Sequence, residues 1–172
     1  MSVTHKVDFR SGQHTADYTV PGMEVSTARG LAKSLQYRLN DLNELHLTLK
    51  HAHWNVQGPN FIAVHEMLDP QIESVRAFAD EVAERIVTLG VAASGVPGAI
   101  VEQRHHADYD LGFASTTDHL EALVAVYDRV IKGFRETIDE AGEVDKISED
   151  ILIGQSAEFE KFQWFMRAHL ER

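Results

Sequence analysis

The chain has 172 residues, 44% of them apolar and 25% charged, and a formal net charge of −11; that is the length of one domain with its own core. It has no Cys, which excludes a disulfide frame and thiolate chemistry. The acidic balance argues against a free-standing nucleic-acid binder, which usually shows a basic footprint, and no run of 18 or more apolar residues suggests a membrane span.

Residues 1–20 are polar and without period, and read as a flexible tail ahead of one helical domain over 21–172. The tail has no apolar run, so a cytoplasmic protein without a secretory leader is expected. After the Pro21-Gly22 turn, Ser26 or Thr27 is placed to cap a first helix over about 27–55. Leu31, Leu35, Leu39, Leu42, Leu49 and His53 recur along one of its faces. Gly58-Pro59-Asn60 breaks the pattern. A second helix over about 61–90 has its seam at Val64, Leu68, Ile72, Val75, Val82 and Ile86. Pro70 lies inside it, predicting a kink there or a fresh start capped by Asp69. Residues 91–114 are rich in Gly and Ala and read as a long crossover holding a short helix. Ser115-Thr116-Thr117-Asp118 has the form of a capping box for a third long helix ending near Gly142, and a fourth follows over about 146–170. Four long amphipathic helices with one long middle crossover describe an all-α, ferritin-like four-helix bundle.

Ten His and 27 acidic residues supply the ligand types of iron, manganese and zinc. With His65 at zero on a helical wheel, Asp69, Asp80 and Glu84 fall near 40°, 60° and 100°, on one stripe away from the core seam. His65 and Glu84 stand roughly 28 Å apart along the axis, and Asp69 and Asp80 roughly 16 Å. A metal held at about 2.1 Å cannot touch both ends. Two antiparallel copies solve the problem. The pairs 65/84, 69/80 and 73/76 share a midpoint at Ser74 and Val75, so a two-fold axis there sets His65 against the other chain's Glu84, and Asp69 against its Asp80. Glu73 and Arg76 would form charge pairs across the same axis. His53 completes the set from beyond the break. Taken singly, Asp80 and Glu84 read as a solvated helix face, and His53 as a core residue; only the joint pattern raises them. His46 reads as a core residue, and His51, His105 and His106 as surface residues.

His53-Trp54-Asn55, Gly58, Phe61, His65-Glu66-Met67, Asp69, Asp80 and Glu84-Arg85 resemble the signature of the Dps family (DNA-binding protein from starved cells), actinobacterial type. Glu160-Lys161-Phe162-Gln163-Trp164-Phe165 is similar to that family's last helix. The resemblance implies a hollow homo-dodecamer built from two-fold dimers. It implies oxidation of Fe2+ to Fe3+, with hydrogen peroxide preferred over oxygen, and storage of a ferric mineral. It implies that His53, His65, Asp69, Asp80 and Glu84 are the iron ligands, with zinc or another divalent metal as an alternative occupant. Trp54 then either intercepts an oxidising equivalent beside the site or packs in the interface. Asp145, Glu149 and Asp150 are candidates for an acidic three-fold pore, or simply acids placed for the helix dipole. The N-terminal tail carries only Lys6 and Arg10, and no basic extension follows the last helix, so DNA binding is expected to be weak or absent, with association to the nucleoid left open.

Two rival chemistries fit less well. A di-iron site within one bundle needs two Glu-x-x-His pairs, and the chain has Glu102 and His105 alone, in the crossover. A zinc hydrolase needs HExxH, and Asp69 stands where the second His belongs. A purely DNA-compacting role conflicts with the charge.

Overall fold

A computed structural model describes residues 15–171. Four long helices form the body: α1 Val25–Asn55, α2 Phe61–Thr88, α4 Thr116–Gly142 and α5 Lys146–Leu170. A short α3, Pro97–Gln103, lies in the crossover, with Pro97 in its first turn, where a missing N–H costs nothing. Short links join α1 to α2 and α4 to α5, and each pair packs closely. The shared core holds Leu35, Leu42, Leu68, Tyr127, Phe134 and Phe159, each 1% exposed or less. Phe159 is its hub: Phe78 and Phe134 meet its ring edge-on at 5.6 and 5.0 Å. This is the expected all-α four-helix bundle with a helix in its crossover.

Ser115 caps α4 in a capping box with Asp118, as the sequence predicts. Two other termini differ from expectation. Neither Ser26 nor Thr27 caps α1; the helix starts at Val25, just past the turn, and has Glu24 at its N-cap position with no side-chain cap bond. α2 runs unbroken through Pro70, so Asp69 starts no new helix. Proline there removes only the bond to the Glu66 carbonyl, and both residues are on the exposed face, where water replaces the lost donor.

Two short strands, β1 Val56–Gln57 and β2 Ala114–Ser115, pair in parallel with Val56 opposite Ala114. They pin the end of the crossover to the break between α1 and α2. Of the tail expected over 1–20, residues 1–14 lie outside the described residues. Residues 15–20 run against the end of α2: the Ala16 N–H donates to the Gly90 carbonyl at 2.7 Å, and Thr15 bridges Val91.

Candidate metal centre

The break between α1 and α2 is short because two of its residues take the left-handed region, Gly58 at φ 96° and Asn60 at φ 65°. This tight reversal lays His53, in the last turn of α1, against His65, in the second turn of α2. Their rings stack at 3.6 Å with 21° between planes. His53 Nδ1–H donates to the His65 carbonyl at 3.0 Å, and His65 Nδ1–H donates to the His53 carbonyl at 2.9 Å. A carbonyl only accepts, so the proton of each neutral ring sits on Nδ1 and the lone pair on Nε2. Both imidazoles are thereby set in the tautomer that binds a metal, with their orientation fixed. His53 is 7% exposed and His65 half-buried. Asp69 follows one turn after His65, with its Oδ1 3.5 Å from His53 Nδ1 and 3.4 Å from Lys50 Nζ.

Asp80 and Glu84 are exposed further along α2. One chain thus stacks His65 on His53 and sets Asp69 beside His53, and it leaves Asp80 and Glu84 apart. Among the described residues, no three His, Asp or Glu side chains converge as a metal-holding group. Glu73 and Arg76 pair with each other within the chain at 3.1 Å. Trp54 is 65% exposed.

Two features here escaped the sequence reading. Lys50 neutralises Asp69; its position three residues before His53 on α1 was the available signal. His46 is no core residue. It is half-buried and lines a cavity of about 710 Å³ with Glu73, Arg76 and Asp80. Burial holds its pKa down, helped by Arg76 and opposed by Glu73.

Other histidines are also more engaged than a surface reading allows. His51 is half-buried and donates from Nε2 to the Leu111 carbonyl at 2.7 Å. His106 is half-buried, 3.3 Å from Glu44; His105 is exposed. His51 reaches into the crossover and His106 reaches out of it to α1, across a distance in sequence that hid both contacts.

The three pore candidates separate. Asp145 caps α5, accepting from Ser148 N–H at 3.0 Å, and pairs with Arg85 at 2.7 Å. Burial pushes its carboxyl pKa up, but the bonds from Ser148 and Arg85 outweigh that and hold it below the ordinary range. Glu149 pairs with Lys146 at 2.8 Å, and Asp150 is exposed.

The Ferritin-like domain family matches residues 32–172. A protein of Mycolicibacterium smegmatis named DNA protection during starvation protein is 53% identical over 154 residues, spanning 90% of this chain and 84% of its own. A Haemophilus ducreyi protein named fine tangled pili major subunit is 53% identical over 156 residues, spanning 91% and 82%. The solved structure of DpsA14 from Streptomyces coelicolor superposes with a TM-score of 0.90 at 55% identity, over 92% of this chain and 95% of that one. A stacked His pair joined to an acid on a ferritin-like bundle, with relatives this similar along nearly the whole length, means that the chain belongs to the Dps family of ferritin-like proteins, a family of iron storage and oxidative protection.

Proposed function

We propose that this chain oxidises Fe2+ at sites shared between two antiparallel copies, preferring hydrogen peroxide over oxygen, and stores the ferric product inside a closed homo-dodecamer. Each site takes His53, His65 and Asp69 from one copy and Asp80 and Glu84 from the other. The observation that carries this reading is the α2 stripe. Its near end holds His65, stacked on His53 of α1, both with free Nε2 atoms, and its far acids are too distant to help within the same chain. Neutral imidazoles and carboxylates bind Fe2+, and the carboxylates go on holding the harder Fe3+. One peroxide takes one electron from each of two Fe2+ ions and, with two protons, gives two waters. Zinc would occupy the same ligands without redox chemistry.

Twelve copies of a chain of charge −11 draw cations inward. With Asp145 engaged as a cap, Glu149 and Asp150 are the stronger pore candidates. Trp54, exposed in one chain, is placed to be covered by the second copy or to meet a stray oxidant. No helix among the described residues is long and apolar enough to cross a membrane, and we place the protein in the cytoplasm. It binds DNA weakly or not at all; a clear gel shift at physiological salt would overturn that.

The deciding experiment is anaerobic Fe2+ titration followed by peroxide, on wild type and Asp80→Ala, with the mass measured in solution. Asp80→Ala should assemble and lose most ferric formation. Unchanged oxidation in an assembled variant, or full activity from a monomer, refutes the shared site.

A further inference from the structure

Peroxide accepts two electrons, but a site holding a single Fe2+ supplies one. The product of that half-reaction is a hydroxyl radical, a one-electron oxidant left beside the protein. The chain has no thiol to receive it. Its oxidisable aromatics are two Trp and four Tyr, the tyrosines being Tyr18, Tyr37, Tyr109 and Tyr127.

Oxidising a phenol near neutral pH requires its proton to leave with the electron, so a hydrogen-bonded base decides which tyrosine reacts. Tyr18 and Tyr37 are 67% and 39% exposed. Tyr127 is fully buried, and its hydroxyl donates to the Gln71 amide oxygen at 2.9 Å, which is no base. Tyr109 differs. Its Oη lies 2.7 Å from His119 Nδ1. The other ring nitrogen, Nε2, lies 3.1 Å from the Gly112 carbonyl. That carbonyl only accepts, so it fixes the proton on Nε2 and turns the Nδ1 lone pair to the phenol. His119 is 0% exposed, and burial keeps its pKa down, so the resting imidazole is neutral and ready to receive a proton. Among the described residues, this is the one phenol bonded to an imidazole.

The pair also lies close to the metal-binding corner. The Tyr109 ring meets that of His51 at 5.9 Å, edge to face, and His51 is two residues from His53 on α1. The β1–β2 pairing holds the crossover against the same corner.

We propose that Tyr109 and His119 form a proton-coupled redox pair that takes up the surplus oxidising equivalent. The phenol gives an electron to hydroxyl radical, making hydroxide, and its proton to His119 Nδ1, leaving a neutral phenoxyl beside an imidazolium. A later Fe2+ returns the electron and becomes Fe3+, and the proton moves back to the phenol. The inference rests on the ferroxidase reading for its source of oxidant.

The test is freeze-quench electron paramagnetic resonance on the assembled protein, with peroxide and fewer Fe2+ than sites, in wild type, Tyr109→Phe and His119→Gln. Wild type should give a tyrosyl signal that Tyr109→Phe lacks. His119→Gln keeps a polar side chain but no base, and should lower the signal about tenfold or more, since general-base help is worth roughly 10²–10⁴ in rate. In a metal-free arm, azide radical from pulse radiolysis should give a phenoxyl absorbance that depends on Tyr109. Ferric absorbance in wild type with no Tyr109-dependent radical overturns the inference and leaves the ferroxidase reading standing. Absent ferric absorbance overturns that reading, and the metal-free arm then decides the tyrosine alone.

Discussion

Replacing Asp145 by Ala removes two supports from one carboxylate. The first is the N-cap of α5, the bond from Ser148 N–H at 3.0 Å, typically worth about 1 kcal/mol. The second is the charge on Arg85, 2.7 Å away. The two side chains are 11% and 9% exposed, so the change strands a guanidinium in poor contact with water. Breaking a buried pair costs about 3–5 kcal/mol, and the bond from Arg85 to Ser148 Oγ at 2.9 Å recovers part of this. A net loss of about 3 kcal/mol follows, which for a domain of this size lowers the melting midpoint by roughly 6–12 °C. The pH dependence has a definite sign. The folded carboxyl pKa is depressed, so its contribution is complete above the ordinary value of about 4 and is lost as pH falls through the folded value. The assay is thermal melting of wild type and variant at one subunit concentration and scan rate, from pH 7 down to pH 3. The gap between them should narrow only below about pH 4. A loss under about 1 kcal/mol, or a gap that does not narrow in acid, refutes the reasoning.

Gly90 has φ +85°, and a Cβ there would collide with the Tyr18 carbonyl oxygen. Gly90→Ala should cost about 1–3 kcal/mol and expose residues 15–20 to proteases; an unchanged cleavage pattern would show that the segment is not held there. Burial lowers the His119 pKa, with backbone bonds to Gly112 and Asn55 partly opposing it. Its stabilising contribution is therefore full above about pH 6.5 and drains as pH falls through the folded value. In His119→Gln the melting midpoint should be less sensitive to pH below about 6.5, and an acid limb as steep as that of wild type counts against a buried neutral imidazole.

The helices were legible because each carries a strong apolar period and because Gly58, Gly142 and the Ser115 box punctuate them. The outward direction of Asp69, Asp80 and Glu84 followed from the same wheel and matches their exposure, whereas His65 is half-buried against His53. What could not be read were contacts set by the crossover. His51 to Leu111 and Tyr109 to His119 depend on where an irregular segment settles, and no period encodes that. Pro70 allowed either a kink or a fresh start; α2 continues through it, so the fresh start is excluded, and the exposure that leaves the freed Glu66 carbonyl open to water is a tertiary fact. Asp145 was legible as an acid at a helix start, but Arg85 lies 60 residues earlier, so its ion pair was not.

The reciprocal bonds between His53 and His65 make the corner at residues 53–65 a single latch. Opening the turn costs both backbone acceptors their partners and frees both rings at once, so partial opening is unfavourable. On the proposed function, the nitrogens need little reordering to take a cation, and capture should be limited by delivery rather than by rearrangement. A cation bound there should slow amide exchange through the turn while leaving α4, on the other pair of helices, at its own rate.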